Sequence, residues 1–268
     1  MRRKKPRSYN KDVRDLVREV PYRGVGGIAS PEGAMFLQWE SYLEKLAINT
    51  LLLCHDVQSI STQQTFRLED GSGKEIKYTP DIQILHKGRW ILIEVKPLIR
   101  LLDPDTRLKL ANRSALLSKH GYALHFLTDD HLNQKPQSDN VQLLARYKNH
   151  PIPSHKLRRI LESVGEYTTI NSLLDFDRCD QFLSNIYAMI AQKHLWVEIN
   201  KPISLNSCIS LPGHGNGGLS YEQISTTGRV GSILERLVLE GGQEADRWLA
   251  IEKARGKQRL YHGPEWFW

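Results

Sequence analysis

The chain has 268 residues, of which 40% are hydrophobic and 25% are charged. These values suit a globular protein with one large domain or two smaller ones. No run approaches the roughly 18 apolar residues that span a membrane, and no apolar segment follows the basic N-terminus, so we expect neither a membrane span nor a secretory signal. The three cysteines, Cys54, Cys179 and Cys208, are isolated. They suit a reducing compartment and lack zinc-site spacing, so we expect all three to be buried.

The net charge of +7 is concentrated near the N-terminus. Nine lysines and arginines face only three acidic residues within the first 23 positions. Such an arm favours a polyanion, because each neutralised phosphate releases condensed counterions. The alternative is a solvated tail that only keeps the protein soluble. We assign residues 1–30 to this basic arm, and we expect Pro21, Gly26 and Gly27 to prevent regular structure at its end.

Residues 31–150 alternate between helical and strand patterns. Apolar residues at helical spacing predict helices at 35–53 and 106–120, and runs bounded by turn residues predict strands at 65–68, 78–85, 90–95 and 122–127. Gly88 allows a tight turn between the second and third of these strands. The order of helix, three strands, helix and strand predicts an α/β fold with a mixed sheet.

The composition changes after residue 129. The polar stretch 133–140 predicts the start of a linker, and the pattern then predicts helices at 140–147, 153–164, 170–176 and 178–193, and strands at 195–199 and 203–208. Helices followed by a small hairpin are typical of a winged helix, so we assign 151–211 to a mostly α, DNA-binding domain of that kind. The alternative is a generic helical domain. The remainder, 212–268, is a tail with a loop at 212–228 and helices at 230–239 and 243–255.

Two acidic residues and one lysine come together on the predicted hairpin. Pro80-Asp81 is followed, after twelve residues, by Glu94-Val95-Lys96. Strand alternation places Glu94 and Lys96 on one face and apolar residues on the other. A hairpin closing before Trp90 brings Asp81 across to Glu94. The sequence therefore predicts that two carboxylates and one ammonium converge.

This set fits metal-dependent phosphodiester hydrolysis. The carboxylates of Asp81 and Glu94 and the carbonyl of Val95 are the hard ligands that Mg²⁺ prefers, and Mn²⁺ is an expected substitute. The metal would lower the pKa of a bound water, and Lys96 would orient that water or stabilise charge at phosphorus. The alternative is that Glu94 and Lys96 form a surface pair worth less than about 1 kcal/mol.

A further carboxylate is expected from the helix that precedes the hairpin. Glu40 and Glu44 lie four residues apart, and residues at that spacing share a helix face. Glu44 is nearer to the apolar stripe, so we expect it, rather than Glu40, to complete the metal site. The alternative is that either carboxylate pairs with Lys45 or meets solvent.

Several motifs together resemble the TnsA family, the endonuclease subunit of heteromeric cut-and-paste transposases. The matching segments are Glu40-Ser41-Tyr42-Leu43-Glu44, Asp56-Val57, Gln63, Pro80-Asp81, Glu94-Val95-Lys96-Pro97, Asn140-Val141-Gln142-Leu143-Leu144, Asn185-Ile186-Tyr187-Ala188-Met189-Ile190-Ala191 and Lys201-Pro202-Ile203-Ser204-Leu205. The resemblance covers roughly residues 30–211. The chain departs from the family at Gln64 and at Val197-Glu198, and its tail matches no family motif.

The resemblance implies a restriction-endonuclease-like PD-(D/E)xK domain at 31–150, followed by the winged helix. It implies cutting of the 5′ strands of double-stranded DNA at transposon ends, beside a TnsB-type transposase and a TnsC-type ATPase regulator, with the tail as a possible contact to a partner. We accordingly expect a cytoplasmic, nucleoid-associated bacterial protein without a membrane partner. The competing interpretations are a stand-alone restriction-like or junction-resolving nuclease, and a non-catalytic DNA-binding adaptor.

Overall fold

A four-stranded mixed sheet forms the centre of the protein. The computed structural model describes residues 26–29, 36–165, 168–174, 181–214 and 217–261. The sheet contains β3 (Val57–Thr62), β6 (Ile82–His86), β7 (Arg89–Val95) and β8 (Ala123–Leu127), in the order β3-β6-β7-β8. The first three strands are antiparallel, and β8 runs parallel to β7. The predicted α/β fold with a mixed sheet is confirmed.

The hairpin that joins β6 to β7 closes through a two-residue turn. His86 pairs with Arg89, and both Lys87 (φ 48°) and Gly88 (φ 74°) adopt positive φ angles. Two positive φ angles characterise the turn whose twist matches that of the flanking strands. The turn fixes the register of the two strands.

Two smaller hairpins flank the sheet. One pairs β1 (Gly26–Ala29) with β2 (Phe36–Trp39), and the other pairs β4 (Phe66–Glu69) with β5 (Glu75–Tyr78). The expectation that Gly26 and Gly27 prevent regular structure was wrong, because both lie in β1 and Gly26 pairs with Trp39. Glycine permits this close pairing, since a Cβ atom at position 26 would lie 2.2 Å from the Trp39 ring. The predicted single strand at 78–85 is also wrong. It breaks at Thr79-Pro80, where proline lacks an amide donor.

The first helix begins later than predicted. Helix α1 (Tyr42–Leu53) starts after Ser41, whose extended backbone and side-chain oxygen cap it by accepting from the Glu44 amide. The segment before Ser41 is strand β2, so the predicted helix at 35–53 was wrong over its first turns. Strand β3 was not predicted, because its only apolar residues are Val57 and Ile60 and the buried positions near its end are polar.

Helices cover both faces of the sheet. The remaining helices are α2 (Leu98–Leu101), α3 (Pro104–Lys119), α4 (Asp129–Leu132), α5 (Gln137–Ala145), α6 (Ser154–Ser163), α7 (Ile170–Leu174), α8 (Phe182–Ala191), α9 (Tyr221–Thr226), α10 (Leu234–Leu239) and α11 (Gly242–Tyr261), with one 3₁₀ turn, Gly231–Ile233. Ile93 and Val95 join one apolar cluster with residues of α1 and α5. Leu92 joins a second cluster with residues of α3, α10 and α11. The predicted alternation along β7 is thus confirmed, with both faces buried.

Helices α6, α7 and α8 accompany a second, three-stranded sheet. It contains β9 (Thr168–Thr169), β10 (Trp196–Val197) and β11 (Cys208–Ser210), in the order β10-β11-β9. The predicted strand at 203–208 was wrong, because Ser204 and Ser207 close a turn and the strand begins at Cys208. Asn140 of α5 connects the two regions, since its amide donates to the carbonyls of Ile199 and Lys201.

Two segments expected to lack structure are partly helical. The stretch 133–140, predicted as the start of a linker, contains the first turn of α5, which packs on α1. The loop at 212–228 contains α9, capped by Ser220 and Gln223. Cys54 is buried as expected, but Cys208 is exposed, so that expectation was wrong. Cys179 and most of the basic arm lie outside the described residues. Within the described part of the chain, no helix is both long and apolar enough to cross a membrane.

Candidate functional site

Asp81 and Glu94 lie on the same side of the central hairpin. Ile82 pairs with Ile93, so the next position of the antiparallel register places Asp81 opposite Glu94. The Oδ2 atom of Asp81 accepts a hydrogen bond from the Val95 amide at 2.8 Å. This bond holds the Asp81 carboxylate beside Val95, the last residue of β7.

Lys96 brings the two carboxylates into one cluster. Its ammonium contacts Oε1 of Glu94 and lies 4.0 Å from Oδ2 of Asp81. The Lys96 amide donates to the carbonyl of Leu127 on β8, which fixes the backbone where β7 ends. The structure therefore gathers Asp81, Glu94 and Lys96, the three residues that the sequence placed on the hairpin.

Glu44 approaches the same cluster from the first turn of α1. Its carboxylate accepts from the Glu40 amide at 2.6 Å and from the Ser41 hydroxyl at 2.9 Å. Burial raises the pKa of Glu44, while these hydrogen bonds and the charge of Lys96 act in the opposite direction. Glu40 precedes the helix, so the expectation that the two glutamates share a helix face was wrong. Of the two, Glu44 is the one that the helix carries.

The electrostatics of the cluster are those of crowded carboxylates. Burial, and then repulsion by Glu94, raises the pKa of Asp81 to about 8, although Lys96 and the Val95 amide oppose the change. Burial lowers the pKa of Lys96, but Glu94, Asp81 and Glu44 outweigh it, so that the net shift is upward. Lys96 thus carries a firmly held positive charge beside a carboxyl group that resists ionisation.

Tyr78 and Arg113 support the cluster and were not identified from the sequence. The Tyr78 hydroxyl donates to Oε2 of Glu94 at 2.8 Å, and its ring is buried beneath the Arg113 guanidinium, whose carbon lies 4.5 Å from the ring centre. Tyr78 ends β5, and Arg113 lies on α3. The break at Pro80 was the available signal, because it separates Tyr78 from the strand that carries Asp81.

The donor set of the cluster fits a hard divalent cation. The two adjacent carboxylates, Asp81 and Glu94, supply oxygen ligands of the kind that Mg²⁺ prefers. Burial, and then repulsion by Glu94, raises the pKa of Asp81, and a bound cation would oppose both effects by stabilising the ionised carboxylates. Val95 contributes its amide to Asp81, and its carbonyl remains a predicted ligand. No group of three or more His, Cys, Asp or Glu side chains among the described residues already has the arrangement of a metal site.

The fold and the cluster define an α/β protein with two carboxylates and a lysine at one end of a β-hairpin. No protein-family model matches the sequence, and no curated protein matches it. The functional interpretation therefore depends on the geometry of this cluster.

Proposed function

We propose that the protein is a Mg²⁺-dependent DNA endonuclease with a restriction-endonuclease-like PD-(D/E)xK domain. The observation that carries this proposal is the position of the Lys96 ammonium, which contacts Glu94 and lies 4.0 Å from Asp81. A simple surface pair would leave Glu94 exposed, but Glu94 is 7% exposed and is also bonded by Tyr78. Burial of two carboxylates around one amine costs stability, and arrangements with this cost are concentrated at functional sites.

The roles of the residues follow from their contacts. Asp81 and Glu94 would hold the metal through carboxylate oxygens, and the carbonyl of Val95 and the carboxylate of Glu44 would complete its protein ligands. When bound, Mg²⁺ supplies a water of lowered pKa and offsets charge at phosphorus. Lys96 presents its ammonium to the attacking water and to the phosphoryl oxygens. Tyr78 fixes the orientation of Glu94 by holding Oε2.

The second region supports a DNA-binding winged helix at 151–211. It has the order helix, strand, two helices and hairpin, arranged around a three-stranded sheet, which is the pattern of that helix-turn-helix variant. With the motifs that resemble the TnsA family, this arrangement favours a transposase subunit that cuts the 5′ strands at transposon ends. A TnsB-type transposase and a TnsC-type ATPase regulator would be its partners.

The test is the Asp81→Ala variant, assayed with duplex DNA carrying a transposon end, with Mg²⁺ or Mn²⁺, and with the transposase and ATPase partners present. We expect loss of cleavage and retention of DNA affinity, because the change removes a metal ligand and leaves the second region intact. Asp105→Ala, at an exposed position in the first turn of α3, is the matched control and should cut normally. Undiminished cutting by Asp81→Ala would refute the enzyme proposal and favour a DNA-binding adaptor.

A further inference from the structure

A basic cavity lies between α1 and the end of α5, apart from the carboxylate cluster. It has a volume of about 300 Å³, and its lining includes Lys45, Asn49, Arg146 and Lys148. Within the described part of the chain, no carboxylate lines it. A cavity lined by cationic side chains, with no acidic residue among the described residues that line it, attracts anions.

Asn49 gives the cavity a neutral polar group. The residue is only 8% exposed, and buried amides require hydrogen-bond partners. Its side chain lines the cavity. The amide NH₂ of Asn49 is therefore available to an acceptor that enters the cavity.

The three cations reach the cavity from different parts of the backbone. Lys45 lies on α1, with its ammonium 5.5 Å from the centre of the Trp39 ring. Arg146 caps the C-terminal end of α5 and is exposed, and Lys148 follows in the next turn. Cations at a helix C-terminus stabilise the helix dipole, which would account for the charge of Arg146. The helix dipole accounts for neither the cavity nor the placement of Asn49 in its wall.

We propose that this cavity binds a phosphate group, and that the source of the phosphate is the backbone of the DNA substrate. The guanidinium of Arg146 can bind two phosphoryl oxygens, Lys45 adds a point charge, and Asn49 donates from the interior. The DNA source rests on the proposed function. Asn49 lies on the same helix as Glu44, about 8 Å further along the axis and about 140° around it, so a duplex that contacts both sites has to lie across α1.

The first experiment measures DNA affinity across a salt series by fluorescence anisotropy. It uses the full chain, a labelled duplex and EDTA to prevent cleavage, and it compares wild type with the double variant Lys45→Gln/Arg146→Gln. Each lost phosphate contact lowers the slope of log K against log salt by about 0.9, and the double variant loses the one phosphate held in the cavity, so we expect a decrease of about 0.9. The loss of affinity over a fourfold rise in salt would then be about 3.5-fold smaller than in wild type.

Two further variants show whether the cavity itself is responsible. Arg247→Gln, at an exposed position on α11, removes one positive charge elsewhere and should leave the slope unchanged. Asn49→Leu should weaken binding without changing the slope, because the amide carries no charge. A wild-type slope in the double variant would overturn the DNA source.

The second experiment separates DNA from free phosphate. Thermal unfolding is followed with inorganic phosphate and with chloride at matched ionic strength. Stabilisation of wild type by phosphate that is lost in the double variant, without a change in the DNA slope, would identify free phosphate as the ligand. If wild type fails to bind DNA, the proposed function fails and this second experiment alone decides the inference. No response to either DNA or phosphate would refute the phosphate site.

Discussion

Asp81→Asn should make the metal-free protein more stable at neutral and alkaline pH. In the folded protein, burial and the neighbouring Glu94 raise the pKa of Asp81 from 3.8 to about 8. The folded state therefore holds a proton that the unfolded state has lost between these two values. Since the unfolded state binds fewer protons, stability falls as pH rises through this window and levels off above about pH 8. Asparagine is uncharged at every pH and can still accept the Val95 hydrogen bond.

The size of the effect follows from one proton. Each pH unit inside the window costs wild type about 1.4 kcal/mol relative to the variant, so the difference between pH 5 and pH 7 should be about 3 kcal/mol. Urea unfolding in EDTA at several pH values measures it. If the free energies of unfolding of wild type and Asp81→Asn run parallel from pH 5 to pH 8, the cluster does not hold the proton, and the proposed crowding of Asp81 and Glu94 is wrong.

Two further changes test the surroundings of the cluster. Tyr78→Phe removes the hydroxyl that donates to Glu94 but keeps the ring beneath Arg113. We expect the free energy of unfolding in urea to fall by about 1–3 kcal/mol and Mg²⁺-dependent cleavage to become slower. An unchanged unfolding midpoint and an unchanged cleavage rate would mean that Tyr78 does not support the site. Deleting residues 1–18, which lie outside the described part of the chain, should flatten the salt dependence of DNA affinity, and an unaltered slope would mean that the arm is a solvated tail.

The sequence was most informative where a feature depends on neighbouring residues. The turn at Lys87-Gly88 and the alternation along β7 follow from local rules. Together they place Asp81, Glu94 and Lys96 without help from distant segments. The start of α1 was missed because apolar residues in β2 continue the helical stripe, although Ser41 is a good cap.

The remaining features depend on contacts between distant segments. Arg113 reaches Tyr78 across 35 positions of the sequence, and no spacing rule links the two residues. Strand β3 is polar along much of its length, since its last residues are buried next to β6 rather than in an apolar layer. Propensity alone does not predict a strand that tertiary packing defines.

The C-terminal helices α10 and α11 are part of the domain built on the central sheet and cannot be removed without exposing its core. Asp130, in α4, accepts from the backbone amides of Arg229 and Val230 and pairs with the Arg229 side chain, which also binds Glu252 of α11. Residues of α10 and α11 cover the Leu92 face of the sheet. A fragment truncated at residue 211 would expose that apolar layer and leave the buried carboxylate of Asp130 without its partners Arg229 and Val230. Even if these last helices recruit a partner, they also serve as one wall of the domain built on the four-stranded sheet.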